Sequence, residues 1–281
     1  MALTLDAAVL APPEEIAISS GEFAKFRRLI HEIAGISLSD AKKVLLVGRL
    51  SRRVKHYGYR SFSEYYRHVT DGHDPGERQL MVDLLTTNET YFFREEKHFD
   101  FLRWRVLPAH PRGRPFDAWS AASSTGEESY TTAMVLADHF GLDAQWSVFG
   151  SDISLSVLHT AESGHYPMDK MRGLPPEYQR KYCLRGVRSQ EGTFMIDRRL
   201  RLHTRFAQIN LNAELPDIGS FDVIFLRNVM IYFDAATKAK VVARLAGKLR
   251  RGGHLVIGHA ETLHGVNNEL LPVQPTIYRK P

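Results

Sequence analysis

After about residue 110 the chain stops reading as a run of helices and begins to alternate. Phe116 to Ala122 is a short buried apolar run, followed by a helical pattern over 127–140 with Tyr130, Ala133, Met134 and Ala137 facing inward. Trp146 to Gly150 is a second such run, ending at Ser151-Asp152 and followed by a helix over 153–162. Phe221 to Leu226 is a third, followed by a helix over 235–249 with Val241, Val242, Leu245 and Leu249. His254 to Gly258 and Thr276 to Lys280 read as the last strands. Parallel neighbours need a crossover, and helices of this length supply it. Residues 110–281 are therefore expected to form an α/β domain around a doubly wound, mainly parallel sheet covered on both sides.

The preceding part is helical. Ser19-Ser20-Gly21-Glu22 is a capping box ahead of Phe23, Phe26, Ile30 and Ile33, and Gly35 ends that helix. Residues 40–56 give a second helix, with Val47, Leu50 and Val54 on one face and Arg49, Arg52, Arg53 and His56 along another. Ser61-x-x-Glu64 caps a third, and residues 77–86 form a fourth after the turn-rich stretch Asp71 to Gly76. A small all-α domain over 19–86 is expected, joined by a linker and helix over 87–109. Residues 1–18, with Asp6, Pro12, Pro13, Glu14 and Glu15, read as a disordered tail and not a signal peptide.

Residues 165–204 interrupt the alternation. Leu174-Pro175-Pro176-Glu177 opens a short helix, and Thr193 to Asp197 with Leu200 to Thr204 read as a small β-hairpin insert. Gly186 and Gly192 flank a turn ahead of it.

Charge and cysteine content narrow the setting. The chain of 281 residues has 37 Lys/Arg and 32 Asp/Glu, a net charge of +5, but residues 21–70 alone carry an excess of +7. Such a patch attracts a polyanion: nucleic acid, anionic lipid or an acidic protein surface. The single cysteine, Cys183, excludes an internal disulfide and a cysteine metal cluster, so a cytoplasmic protein is expected. The 13 histidines show no metal-binding spacing, and no metal is expected. No run of about 18 residues is free of charge, so membrane insertion is not expected.

Chemistry in an open α/β sheet belongs beyond the carboxyl ends of its strands. The first strand runs into Ser120-Ala121-Ala122-Ser123-Ser124-Thr125-Gly126-Glu127-Glu128, with one glycine and no G-x-G-x-x-G. Glu127 and Glu128 stand where a pyrophosphate would sit and would repel it. Asp152 ends the second strand, where an acid takes ribose hydroxyls. A nucleoside with a cationic, unphosphorylated tail fits: S-adenosyl-L-methionine. The two glutamates could equally serve the helix dipole, and the residues alone leave both readings open.

Three segments carry a resemblance. Asn88-Glu89-Thr90-Tyr91-Phe92-Phe93-Arg94-Glu95, Trp119 to Glu128, and Arg227-Asn228-Val229-Met230-Ile231-Tyr232-Phe233 together resemble the CheR family of chemotaxis receptor methyltransferases. The resemblance spans about residues 20–281. It implies a class I, Rossmann-like methyltransferase fold that uses S-adenosyl-L-methionine, releases S-adenosyl-L-homocysteine and esterifies glutamates of chemoreceptor cytoplasmic domains. It carries cofactor contacts onto Asn88, Thr90, Arg94, Glu127, Asp152, Asn210, Leu211, Arg227 and Asn228, and an active-site role onto Tyr232. Arg94 is also the candidate for orienting the incoming carboxylate. Ser129 departs from the family, where a proline is common, and Pro167 follows Gly164-His165-Tyr166. Partner contacts are expected from Arg49, Arg52 and Arg53 on the acidic receptor region. A receptor C-terminal tail peptide is expected at an edge formed by Thr193 to Asp197, with Gly186 and Gly192 letting its backbone approach. The chain is expected to act as a monomer. The competing readings are a nucleic-acid-binding protein, an RNA methyltransferase on the same fold, and a non-catalytic cofactor-binding scaffold.

Overall fold

The structure, a computed structural model, describes residues 16–281, so most of the expected tail, residues 1–15, lies outside the described residues. Residues 16–18 are not tail: Ile18 is buried and Ile16 packs beside it on the N-terminal core. Four helices make that domain, α1 (Ser20–Ala34), α2 (Lys43–His56), α3 (Phe62–Thr70) and α4 (Pro75–Leu85). The capping box is complete: Glu22 N donates to Ser19 Oγ and Ser19 N donates to Glu22 Oε2. The second Glu22 oxygen accepts from Ser63 N at 2.7 Å, so one carboxylate starts α1 and fastens α3 to it. Phe26, Ile30, Leu46, Leu50, Val54, Phe62, Tyr65 and Met81 fill the space between the helices.

A linker then leads into α5 (Lys97–Phe101), which continues through a π-helical turn, Leu102–Val106. The α/β domain follows as β1 (Phe116–Ser120), α6 (Glu127–Phe140), β2 (Trp146–Asp152), α7 (Leu155–Ser163), then the insert, then β6 (Thr204–Gln208), β7 (Phe221–Leu226), α10 (Ala235–Lys248), β8 (Leu249–Ile257), β9 (Leu271–Gln274) and β10 (Ile277–Arg279). The sheet order is β6-β2-β1-β7-β8-β10-β9. The first five of these are parallel, and β10 runs antiparallel to both neighbours. From β1 the chain moves outward through β2 to β6, then returns to β7 on the other side. That reversal opens a crevice at the carboxyl ends of β1 and β7.

The insert is not a hairpin of Thr193–Asp197 with Leu200–Thr204. It is a three-stranded antiparallel sheet, β3 (His165–Pro167), β4 (Cys183–Arg185) and β5 (Thr193–Ile196), carrying α8 (Pro176–Tyr182) and followed by the short helix α9 (Arg198–Arg201). Thr204 begins β6 of the main sheet, and Leu200 is buried on α9.

The two domains interlock. Asp83 of α4 accepts from Leu155 N at 3.2 Å and Ser156 N at 3.0 Å, capping α7, whose own N-cap residue Ser154 makes no side-chain cap bond. Ile36 bridges to Phe233, and Ser37 N donates to Tyr232 O at 2.7 Å. Gly35, at φ 72°, ends α1 where a Cβ would lie 2.6 Å from Thr237 Cγ2, so only glycine suits both the turn and the contact.

Candidate active site

The crevice is a cleft of about 450 Å³ between the N-terminal domain, the linker and the strand ends of the sheet. That volume suits a small-molecule ligand. Asn88, Thr90, Arg94, Asp152, Asn210, Leu211, Arg227, Asn228 and Tyr232 all line it. These nine come from four segments up to 144 residues apart in the chain, brought together by the strand order and the linker.

At the β1 end, Ser124 takes a left-handed conformation (φ 48°) and Gly126, at φ 95°, opens α6. A Cβ on Gly126 would lie 2.9 Å from Ala161 Cβ and 3.0 Å from the Tyr166 hydroxyl. Asp152 anchors this loop: its Oδ2 accepts from Ser124 N at 2.9 Å and its Oδ1 from Ser154 N at 3.0 Å. Burial pushes the Asp152 carboxyl upward, and those backbone donors oppose the shift.

The acid in the wall is Glu128, not Glu127. One residue along a helix turns the side chain by about 100°. Glu128 Oε1 accepts from Ser120 Oγ at 2.7 Å and its Oε2 from Arg227 Nη1 at 2.8 Å. Glu127 is fully buried behind the wall, beside Thr125 Oγ1 and Lys170.

Arg227, at the end of β7, organises the opposite wall. Its Nη2 donates to Arg94 O and, at 3.1 Å, to Glu95 Oε2, and its guanidinium lies 5.4 Å from the centre of the Phe99 ring. Glu95 also accepts from Asn228 Nδ2 at 3.1 Å and from His259 N. Burial works to raise the Glu95 carboxyl, but Arg227 and these donors hold it below its ordinary value. Asn228 is left-handed (φ 58°), with Glu261 Oε2 accepting from its N–H at 3.1 Å. Phe93, Glu95, Ser124 and Asn228 are four of the six non-glycine residues with positive φ among the described residues, and all sit around this cleft. Strained backbone of this kind concentrates at functional sites.

Glu95 and Glu261 were missed as site residues in the sequence reading. Glu261 follows β8 by four positions, at the carboxyl end of the strand beside β7, and that position was the available signal. Glu95, His98 and His259 also lie close enough together to suggest a cation site. The Arg227 guanidinium on the same Glu95 carboxylate opposes a cation there. His98 is pushed down to about 3, by burial first and Arg227 second. Its Nε2 bonds Thr276 Oγ1 at 2.7 Å.

Arg94 lines the cleft with its Nη1 donating to Glu89 O at 2.6 Å and its guanidinium 5.8 Å from the centre of the Tyr91 ring. Tyr232, half-buried, packs against the cores of both domains. Asn210 Nδ2 donates to Ile33 O at 2.7 Å, so this wall is tied to α1.

The arginine stripe on α2 does not form one free surface. Arg53 donates through Nε to Glu77 Oε1 at 2.9 Å and through Nη2 to Glu77 Oε2 at 2.6 Å, inside the helical domain. Arg49 Nη1 donates to Leu85 O at 3.0 Å and Thr86 O at 2.8 Å, capping α4. Arg52 is exposed. Thr193–Asp197 is not a free edge either, since β5 is the middle strand, paired to β3 and β4 on its two sides. Gly186 and Gly192 lie in the β4–β5 connection, where a Cβ on Gly186 would fall 1.9 Å from Gln190 O. That glycine serves the turn's own packing, not the approach of a peptide.

Residues 88–278 match the family CheR methyltransferase, SAM binding domain, and residues 21–86 match CheR methyltransferase, all-alpha domain. The chain is 37% identical to the chemotaxis protein methyltransferase of Escherichia coli, over 96% of this chain and 94% of that one. It is 37% identical to chemotaxis protein methyltransferase 2 of Pseudomonas aeruginosa, over 94% of this chain and 95% of the relative. The figure is 36% for the Borreliella burgdorferi chemotaxis protein methyltransferase, over 94% and 96%. Among the described residues no helix is long and apolar enough to cross a membrane. The strand order, the acid-lined cleft at its reversal and these matches agree that the chain belongs to the CheR family of S-adenosyl-L-methionine-dependent methyltransferases.

Proposed function

We propose that this protein transfers a methyl group from S-adenosyl-L-methionine to glutamate side chains of chemoreceptor cytoplasmic domains, forming methyl esters. The observation that carries the reading is that Arg94 and Tyr232 line the same cleft as Asp152 and Glu128. The carboxylates and apolar walls suit a cationic nucleoside, and the arginine at the linker suits an anionic acceptor. Asp152 is the acceptor for ribose hydroxyls. Ile209, Leu211 and Val229 offer apolar surface for a base.

When bound, the cofactor supplies an electrophilic sulfonium methyl carbon. The acceptor carboxylate has a reference pKa of about 4.3 and is ionised at neutral pH, so no side chain has to remove a proton. The protein's task is placement. Arg94 would hold the carboxylate through forked hydrogen bonds, and the Tyr232 hydroxyl, in the same cleft, would donate to the acceptor oxygen. Holding the reactants in line at near-attack distance is the main contribution.

Recognition of the receptor divides between two surfaces. Arg52, with its exposed neighbour Lys55, meets the acidic region around the target glutamates. A receptor tail peptide adds to β4, whose outer edge is unpaired among the described residues, with Leu184 and Val187 exposed beside Arg185. Main-chain hydrogen bonds would hold such a strand and side-chain contacts select it. No observation favours the nucleic-acid reading, since Arg49 and Arg53 are committed inside the protein.

The deciding experiment incubates the protein with methyl-labelled S-adenosyl-L-methionine and receptor cytoplasmic fragments. Base-labile label released as methanol is expected. Base-stable label would replace this reading with N- or RNA methylation. For the tail, Leu184→Glu is expected to abolish binding of receptor C-terminal peptides and leave S-adenosyl-L-homocysteine affinity unchanged. Unaltered peptide binding would remove the tether from β4.

A further inference from the structure

Lys170 extends from the insert to the back of the cofactor cleft. It lies on the 3-10 turn Met168–Gly173 between β3 and α8, and it does not line the cleft. Its ammonium donates to Thr90 O at 3.0 Å and lies 3.0 Å from Glu127 Oε1. Thr90 belongs to the linker, and Glu127 is the first residue of α6. Glu127 is 0% exposed, so its charge has no help from solvent. Its Oε2 accepts from Thr125 Oγ1 at 2.6 Å, while Oε1 faces the ammonium without an aligned hydrogen bond. Among the described residues Lys170 is the cation within 4.0 Å of this carboxylate.

The same insert makes two further contacts on this side. The Tyr166 hydroxyl donates to Thr125 O at 2.7 Å, and Gly173 packs so closely that a Cβ there would lie 2.7 Å from Phe92 O. Thr125 follows Ser124, whose N–H donates to Asp152 and whose hydroxyl donates to Asn88 O at 2.9 Å. A displacement of Glu127 is therefore passed through one loop to Asp152 and Asn88. A buried carboxylate that loses its counter-charge cannot stay in place without cost.

We propose that Lys170 is a positioning residue of the methyl-transfer site: it fixes the linker at Thr90 and the entry to α6 at Glu127. Cofactor affinity then depends on an insert side chain outside the cleft. Insert and cofactor site become linked, so whatever steadies one steadies the other. The inference rests on the cleft being the cofactor site.

The test uses the full chain and S-adenosyl-L-homocysteine as the titrated probe, with calorimetry and thermal midpoints measured in parallel. Lys170→Met is expected to weaken affinity about tenfold, within the usual range of coupling between two linked sites. It should raise the cofactor KM while leaving kcat at saturating cofactor close to wild type. Lys170→Arg should retain most of the affinity. The double variant Lys170→Met/Glu127→Gln should recover to within about threefold of wild type, because the neutral amide needs no cation. An ordinary structural ion pair would lower the thermal midpoint of Lys170→Met and leave its affinity unchanged, and that result overturns the proposal. So does a double variant as weak as Lys170→Met. If Lys170→Met does not fold, Lys170→Gln is judged by the same two comparisons. Failure of the wild-type chain itself to bind the probe would instead overturn the cofactor assignment.

Discussion

Arg227 Nη1 donates to Glu128 Oε2 at 2.8 Å, joining the end of β7 to the start of α6 across the point where the strand order reverses. The arginine side chain is 2% exposed and the glutamate 12%. Arg227 Nη2 bonds Arg94 O and Glu95, so one guanidinium connects the end of β7, the start of α6 and the linker.

Removing that guanidinium, itself buried, would leave the partly buried Glu95 and Glu128 without a counter-charge. Arg227→Met is expected to cost about 3–5 kcal/mol of stability, as for other broken buried pairs. Adding Glu128→Gln to Arg227→Met should recover part of it. Denaturant unfolding of the single and double variants checks both steps, and equal stability of the two would show that Glu128 is not the residue left stranded.

Asp152→Ala should weaken S-adenosyl-L-methionine and S-adenosyl-L-homocysteine alike, by about 1.5–3 kcal/mol for lost charge-assisted bonds. The loop adds to the loss, because Ser124 N and Ser154 N surrender their acceptor together. Calorimetry should find the two ligands affected equally. Retained affinity for both would remove Asp152 from the site.

His98 predicts a pH dependence. In the folded protein it is pushed down to about 3, whereas an unfolded histidine titrates near 6.5. Between those values the unfolded chain binds a proton that the folded chain does not. Stability therefore rises with pH through that window and falls as pH drops below about 6.5, by up to roughly 1.4 kcal/mol per pH unit. His254, pushed down to about 4 by burial, acts in the same direction. Unfolding free energies from pH 7.5 to 5.0 should show the decline, and His98→Gln should make it shallower. Parallel slopes for variant and wild type would mean His98 is protonated in place.

The sheet was legible because its central strands are buried on both faces and read as continuous apolar runs. Phe221–Leu226 and the helix Glu127–Phe140 match their expected limits. What escaped was at the edges. Thr204–Gln208 and Leu271–Gln274 carry mostly exposed side chains, so neither shows an apolar run, yet both are strands of the main sheet. In the site, the segments at the strand ends could be located because topology decides where a crevice opens. Which side chain faces it could not. Glu127 and Glu128 are adjacent, and one helical step separates a wall residue from a buried one. Helical spacing likewise put Arg49 and Arg53 on one face without revealing that Leu85 and Glu77, more than 20 residues away, lie across from them.

If Arg94 orients the acceptor carboxylate as proposed, Arg94→Ala is expected to depress kcat at saturating cofactor and receptor. Arg94→Lys should rescue poorly, because an ammonium cannot present a fork. Methylation of receptor fragments measures both. Activity near wild type in Arg94→Ala would reduce Arg94 to a linker contact held by Glu89 O.

Arg52 and Arg53 are neighbours with opposite expected behaviour. The Arg53 fork closes on Glu77, whose carboxylate is 3% exposed and also accepts from the Tyr65 hydroxyl at 2.7 Å. Burial works to raise the Glu77 carboxyl, and Arg53 with Tyr65 overcomes it and holds the group ionised. Arg53→Met should therefore destabilise the helical domain by about 3–5 kcal/mol, whatever the receptor does. Arg52 is exposed, and Arg52→Glu should change stability by no more than about 0.5 kcal/mol. Its effect belongs to docking: the receptor KM should rise and cofactor affinity stay constant. That rise should shrink as salt increases, because exposed charges are screened over about 8 Å at physiological ionic strength. Thermal melts and receptor titrations at two salt concentrations separate the two residues. A receptor KM that Arg52→Glu leaves unchanged at low salt would move the docking site for the receptor's acidic region off α2 altogether.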